Sequence, residues 1–489
     1  MSESEQVADD PAGPTSVLAR FAADARFEDL PEAVVQQAKQ SVLDILGVAL
    51  VGAVMNTECA NVTRYCLLAS GSGSAAVSAG SHATLWTSGE PLAPGYAALA
   101  NAAHARALDY DDIIPFPQIH VAACVVPAAV AIAQGLTTGA GRALLSGVAV
   151  GCEIQARLAA AIAPYFGSDL PVMLASQVFG YFSAAAACGN IQKLPQASMH
   201  DAFGLALMHA AGTEETVVHT AISMGKYVYS GLSNQGGLQS ALMAACGVQA
   251  RGEVLIGTAG LFNAYFGGRY DRAALTDGLG QTYRSMTRCL KSMPGTLVAH
   301  AFVEAAAALV AQHSLQARQI ARITLHVGPW GSVMCNPVEM RRHPPSATAA
   351  MNSIPYLVAR MLAKGRIGID DFDGAARIDP DVYAMAAKIE HIVDPDLARP
   401  EGLEPGIVTL FLDDGRSWTL RIDAPVGHPD RPLSFDDVAE KFRRNLTDAN
   451  VSVSTDRIEN MIESIYRLDT LDDLSSVFSS QLRTEPSKR

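Results

Sequence analysis

The chain reads as mainly α with an inserted α+β domain, and three observations predict this. First, apolar residues recur at helical spacing through a series of Ala-rich segments over roughly the first 285 residues. Second, the period then shortens to two: Ile323, Leu325 and Val327 alternate with Thr324 and His326, and the same holds for Val408, Leu410, Leu412 and for Trp418, Leu420, Ile422. Third, the helical pattern resumes at Ser434, so the chain leaves a helical domain, forms a mixed one, and returns. A length of 489 residues exceeds what one core usually carries, which agrees with two domains.

The N-terminus MSESEQVADDPAGP is acidic and has no apolar centre, so it reads as disordered and not as a signal peptide. Pro31 suits a first-turn position, where its missing N–H costs nothing. After it, Val34, Val35, Ala38, Val42, Ile45, Leu46 and Ala49 mark one helix. Further helices are expected at 93–108, 121–135, 141–163, 176–190, 200–211, 237–249 and 297–312, with Gly and Pro punctuating them. A short strand is expected around 323–327, then a hairpin that turns at Asp413-Asp414-Gly415. Ser434 is a candidate N-cap for a helix opening Phe435-Asp436-Asp437. The tail SSQLRTEPSKR reads as loose. These readings divide the chain into a helical domain over 15–286 and 429–480, an α/β domain over 287–428, and disordered ends at 1–14 and 481–489.

Composition narrows the function classes. A net charge of −13 argues against a nucleic-acid partner, which needs clustered Lys and Arg. The longest apolar run, Val121 to Ala133, is shorter than the roughly 18 residues of a spanning helix, so no membrane segment is expected. The eight cysteines form no C-x-x-C pair and sit mostly in apolar runs, as reduced thiols do in cytoplasmic proteins; no zinc-ligand spacing is present. No Rossmann or P-loop glycine pattern occurs, so no nucleotide cofactor is expected.

The chemistry concentrates in Ala103-His104-Ala105-Arg106-Ala107-Leu108-Asp109-Tyr110-Asp111-Asp112, three carboxylates within four residues between apolar segments, with His120 shortly after. Ionised carboxylates are costly near a core unless paired, so this is either a solvated loop or a polar pocket. Four other places stand out: Ser223-Met224-Gly225-Lys226-Tyr227-Val228-Tyr229-Ser230-Gly231, Lys291-Ser292-Met293-Pro294-Gly295-Thr296, Asn352-Ser353-Ile354-Pro355-Tyr356, and Gly427-His428-Pro429-Asp430-Arg431-Pro432-Leu433-Ser434. Each has a plain alternative. Lone lysines are usually at the surface, His120 alone is a satisfied polar group, Tyr356 alone is packing, and Asp109 with Asp112 could be a helix-start charge pattern.

Together these sites resemble the MmgE/PrpD family, whose members include 2-methylcitrate dehydratase, cis-aconitate decarboxylase and iminodisuccinate epimerase. AKQSVLDILGVALVGA is similar to the family's opening helix, AHARALDYDD to its acidic signature, SMGKYVYSG to its lysine loop, LKSMPG to its Lys-x-x-Pro turn, and GHPDRPLSFDDVAEKF to its late segment. The resemblance covers residues 15 to 470 or so. It implies a large all-helical domain built from both chain ends, a smaller α/β lid inserted between, and an active site in the cleft where they meet. It also implies a homodimer that needs no cofactor or metal and acts on small carboxylic acids. Carried over, Asp109, His120, Lys226, Lys291 and Tyr356 become catalytic. His120 would be the base, oriented by Asp109; Lys226 and Lys291 would stabilise negative charge; Tyr356 would donate a hydrogen bond or relay a proton. Asp112 would contribute to binding, though it and Asp111 also suit a role in shaping the loop.

The departures from the family pattern bear on the substrate. Ile113 stands where the acidic signature has Thr, Leu174 or its neighbour Met173 where the family has a pocket histidine, and Tyr229 where the lysine loop has a histidine. These three departures, which with Asp112 make up the expected substrate-side positions, point to an acid other than 2-methylcitrate or cis-aconitate, with fewer carboxylates or more apolar bulk. The leading expectation is a lyase that moves a proton α to a carboxylate and expels water or CO2. An epimerase using His120 with Tyr356 or Lys226 is the alternative, and a degenerate homologue that only binds a metabolite is a third.

Overall fold

The computed structural model describes residues 13–71, 83–166, 173–215, 225–372, 374–399, 402–451 and 453–478. Helices dominate, with one small mixed sheet. The first helix begins at Pro14 and the last ends at Phe478; residues 1–12 and 479–489 lie outside the described residues.

Buried apolar side chains form two large clusters. One gathers residues from Leu18 to Leu290 and again from Val438 to Phe478, so both ends of the chain share it. Its axis is the helix Glu32–Met55, on which Val42, Leu43, Ile45 and Leu50 are fully buried. This helix packs against Pro94–Arg106 and Phe435–Asp448. Small residues set the closeness of such crossings: a Cβ on Gly52 would lie 2.2 Å from the carbonyl oxygen of His104, so only glycine admits that approach. Two helices, Glu32–Met55 and Ala140–Tyr165, are long and apolar enough to cross a bilayer, but 78% and 94% of their apolar windows are buried inside the protein.

The second cluster runs from Cys289 to Leu412 and includes Ile113. Here Leu297–His313 packs on a four-stranded sheet, and Ile354–Lys364 packs on that helix. The short ribbons β1 (Ala83–Thr84), β2 (Pro91–Leu92), β3 (Ile113–Ile114) and β4 (Ile119–His120) precede it. The sheet itself comprises β5 (Ile320–Val327), β6 (Ile389–Val393), β7 (Gly406–Leu412) and β8 (Ser417–Ile422), in the order β6-β5-β7-β8. β5 pairs parallel with β6 and antiparallel with β7; Ile323 faces Leu410 and Leu325 faces Val408, all four fully buried. The β7–β8 hairpin turns through Gly415 at φ 86°, the conformation that needs glycine.

Several boundaries differ from the sequence reading for identifiable reasons. The segment at 121–135 splits into a single turn, Ala122–Cys124, and a helix, Val126–Ala133, because Pro127 has no N–H to continue the turn and sits instead in a new first turn. The helix expected at 237–249 runs over Gly225–Ala245. Its glycines are packing positions and not breakers: a Cβ on Gly231 would lie 2.6 Å from the carbonyl oxygen of Leu99. β6 was not legible, since Ile389-Glu390-His391-Ile392-Val393 lacks alternation and leaves Ile392 and Val393 half exposed at a sheet edge. Ser434 does cap its helix, with Asp437 completing a reciprocal capping box.

Candidate active site

Helix Pro94–Arg106 delivers the first functional group. Its last residue, Arg106, is 1% exposed, although it follows a run of Ala, Leu, Asn and His. The chain then turns so that the Asp109 N–H donates to Arg106 O (3.1 Å), with Asp109 at φ 49°, a left-handed conformation that Asp tolerates better than most residues. The turn aims both Asp109 and Asp111 at the guanidinium: Arg106 Nη1 pairs with Asp111 and lies 3.4 Å from Asp109 Oδ1. The β3–β4 ribbon pairs Ile113 with His120 and folds the imidazole back onto the same cluster. His120 Nδ1 is 3.0 Å from Asp111 Oδ2, and Nε2 is 3.9 Å from Asp109 Oδ1. Its backbone is fixed on both sides: the His120 N–H donates to Ser176 Oγ (3.1 Å), and Gln155 Nε2 donates to His120 O (2.7 Å).

Lys291 reaches the cluster through a backbone bridge. The Ile113 N–H donates to Cys289 O (3.0 Å) and the Cys289 N–H to Ile113 O (2.8 Å), which brings Lys291 alongside. Its Nζ donates to Asp109 O (2.7 Å) and Asp109 Oδ1 (2.9 Å). Behind both segments stands the helix Phe435–Asp448. Lys441 Nζ donates to Tyr110 O (2.9 Å) and Lys291 O (2.8 Å) and pairs with Asp44 (2.7 Å). Arg444 donates to the Tyr110 hydroxyl (3.1 Å) and to Ser292 O (3.0 Å). A helix some 330 residues downstream thus ties the acidic turn to the lysine strand.

The electrostatics prepare a base. Burial is the largest influence on His120 and pushes its pKa below the ordinary imidazole value; Arg106 and Lys291 push the same way, and the Asp111 carboxylate offsets the three only in part. Burial alone would raise Asp111, but Arg106, His120 and Lys291 together hold its carboxyl well below the usual carboxylate range. A neutral His120 beside an ionised Asp111 donates its Nδ1 proton to that carboxylate, which leaves the Nε2 lone pair for chemistry. Asp109, Asp111 and His120 have ligand atoms within 4.8 Å of one another, the spacing of a metal site. Arg106 and Lys291, however, already neutralise the two carboxylates, so this donor set holds no net charge for a dication.

Two cavities meet at His120. One, of about 180 Å3, is lined by Asp109, Ile113, Gln118, His120, Lys291 and Thr296, and is closed by Met334, Asn352 and Leu403 from the second cluster's side of the molecule. The other, of about 350 Å3, shares Gln118 and His120 and continues past Arg106, Met173, Leu174, Tyr229 and Trp330.

The structure therefore brings Asp109, Ile113, His120 and Lys291 to one cavity and Met173, Leu174 and Tyr229 to the other. Tyr229 lies under Arg106, whose guanidinium carbon is 5.5 Å from its ring centre. Three expectations change. The close carboxylate partner of His120 is Asp111, not Asp109. Asp112 faces away from both cavities: it accepts from the Ala122 N–H (2.8 Å) and from Arg288 (2.6 Å) and fixes the turn from behind. Tyr356 is fully buried in the second cluster, where its hydroxyl donates to Asp371 O (3.1 Å); it lines neither cavity, because Ser353 caps its helix and points the ring into the core. Lys226 falls in the first turn of Gly225–Ala245, and its side chain lies outside the described residues, as does all of 216–224. Arg106 and Lys441 carried no assignment from sequence. The available signal was a charge set in an otherwise apolar face, Arg106 at the end of an Ala-rich helix and Lys441 between Val438, Ala439 and Phe442.

The chain is similar to known proteins over almost its whole length. The MmgE/PrpD N-terminal domain matches residues 16–273, and the MmgE/PrpD C-terminal domain matches residues 293–466. Cis-aconitate decarboxylase of Homo sapiens is 28% identical over 464 residues, 91% of this chain and 90% of that protein. Cis-aconitate decarboxylase of Aspergillus terreus is 26% identical over 486 residues, 95% of each chain.

Proposed function

Because the chain belongs to the MmgE/PrpD family, we propose that it is a lyase that acts without a cofactor on a small carboxylic acid. The observation that carries the reading is the convergence of Asp109, His120 and Lys291 on one cavity, with Asp111 and Arg106 paired to them from behind. In this reading His120 Nε2 takes the proton α to the substrate carboxylate. Lys291, which lines that cavity, offsets the negative charge that develops there. In a dehydration the C–O bond on the neighbouring carbon breaks, and the proton held by His120 leaves with the hydroxyl as water. In a decarboxylation no α proton is removed: the C–C bond to CO2 breaks, its electron pair stays on the α carbon, and that carbon takes a proton that His120 has picked up from solvent.

The relatives named above are cis-aconitate decarboxylases, yet we place the substrate apart from cis-aconitate and 2-methylcitrate. Ile113 in the first cavity and Met173, Leu174 and Tyr229 in the second present apolar or phenolic surface where the family carries hydroxyl and imidazole groups. The reading also takes the mixed domain as a lid over the first cavity and the working form as a cytoplasmic homodimer; the eight unbridged cysteines, seven of them buried, agree with a reducing compartment. Of the two second bases named for the epimerase alternative, Tyr356 lies off the cavity wall, which leaves that alternative to Lys226.

Incubation of the purified protein with aconitate, methylcitrate, iminodisuccinate and larger unsaturated acids in D2O, followed by mass spectrometry, tests the proposal. A product lacking the elements of water or CO2 is expected. Deuterium entering an unchanged skeleton with inversion identifies an epimerase instead.

A further inference from the structure

The second chamber has a chemistry of its own. Phe166 and Trp330 stand at its wall with rings nearly parallel, centroids 5.6 Å apart and 15° between planes, and Phe116 meets Phe166 edge-on at 5.5 Å. Trp330 comes from the far domain and is held firmly. The buried carboxylate of Glu404 accepts the backbone N–H groups of Trp330 (3.0 Å) and Gly331 (2.9 Å), and Gly328 leaves room for it, since a Cβ there would lie 2.4 Å from the Glu404 carboxyl carbon. Met173, Leu174 and the Tyr229 ring supply the remaining apolar surface.

The charges on the described side chains at this wall do not favour a second carboxylate. Among the described side chains, the cation facing the chamber is Arg106, which is already committed to Asp109 and Asp111, while Glu214 contributes a carboxyl of its own. The size fits a ring: an apolar cavity of roughly 150 Å3 accommodates benzene, and this chamber has about 350 Å3. His120 and Gln118 line both cavities, which sets the imidazole between Lys291 on one side and the Trp330 wall on the other.

We infer that the substrate is an aryl-substituted carboxylic acid, its carboxylate in the small polar cavity and its ring in the chamber formed by Phe166, Trp330, Leu174 and Tyr229. This rests on the lyase reading for the role of His120, but recognition of the ring does not depend on turnover. The test uses binding by the intact protein, measured by calorimetry, with phenylsuccinate, succinate and tricarballylate as probes. Phenylsuccinate is expected to bind at least about tenfold more tightly than succinate, through burial of one ring. Trp330→Ala and Phe166→Ala should each reduce the succinate-to-phenylsuccinate ratio of Kd values severalfold, and Trp330→Phe should retain most of it; circular dichroism checks that each variant is folded. Equal affinity for succinate and phenylsuccinate, or tightest binding of tricarballylate, would overturn the inference. So would an unchanged ratio in folded Trp330→Ala and Phe166→Ala. If ring preference is present but no acid is converted or exchanges deuterium, the lyase reading fails and the chamber assignment stands. If small polycarboxylates are converted without ring preference, the lyase reading stands and the chamber assignment fails.

Discussion

Replacing Asp111 by Asn examines the centre of the site at one atom. Asp111 accepts a hydrogen bond from His120 Nδ1 (3.0 Å) and pairs with Arg106, and it is fully buried. Asn keeps the shape and removes the charge. The lost interaction is a charge-assisted hydrogen bond that orients the imidazole, of about 1.5–3 kcal/mol. If that bond is realised in the transition state, kcat/KM falls about 10- to 150-fold. The variant also moves the titration of His120 in a defined direction. The Asp111 carboxylate raises the His120 pKa, while burial, Arg106 and Lys291 lower it. Without the carboxylate the lowering influences act alone, so His120 titrates at still lower pH and the acid limb of the kcat/KM profile shifts with it. NMR of histidine-labelled protein reads the shift directly, with H120N assigning the resonance. An upward shift, or an unmoved titration alongside unimpaired turnover, would refute the assignment of Asp111 as the orienting group.

Other outcomes follow from the same contacts. Lys441→Met leaves Asp44 buried without its cation and unties Tyr110 from Lys291, so it should cost about 3–5 kcal/mol in denaturant unfolding, with part recovered in the Asp44→Asn, Lys441→Met double variant. Gly52→Ala places a Cβ 2.2 Å from His104 O and should destabilise by about 1–3 kcal/mol, since the two helices must separate. Burial lowers His104 to about 4 and His300 to about 3. As pH falls below the ordinary 6.5, the unfolded chain takes up these protons first, so stability is lost from there down towards pH 4 and 3. Asp44, raised by burial to about 6, opposes this as pH falls from 6 to 3.8, as do the raised Glu214 and Asp371, while His120, His391 and His428, lowered by burial, add to the loss. The denaturation midpoint should therefore be lower at pH 5 than at pH 7.5, and His300→Leu should show a smaller drop; an equal drop in that variant would remove His300 from the explanation.

The sequence made the succession of elements legible because period and punctuation are local properties. Ile323, Leu325 and Val327 announce a strand, Gly415 a turn and Ser434 a cap without reference to distant residues. The acidic turn was legible as a cluster for the same reason. Its internal pairing was not, because the choice of Asp111 over Asp109 by His120 depends on how the β3–β4 ribbon folds back. Lys441 and Asp44, nearly 400 residues apart, meet only in three dimensions. Each nevertheless left a local mark, a charge within an apolar helical face. Tyr356 illustrates the converse: a polar tip on an aromatic ring is as well served by a core carbonyl, here that of Asp371, as by a substrate.

The proposed mechanism turns on His120 as the group that moves the α proton. The direct measurement is the rate of solvent deuterium incorporation into, or elimination from, the best-bound acid, compared between the natural protein and folded His120→Asn. Loss of nearly all proton transfer in the variant, with the acid still bound, is the predicted result. Proton transfer at an undiminished rate in His120→Asn would contradict it.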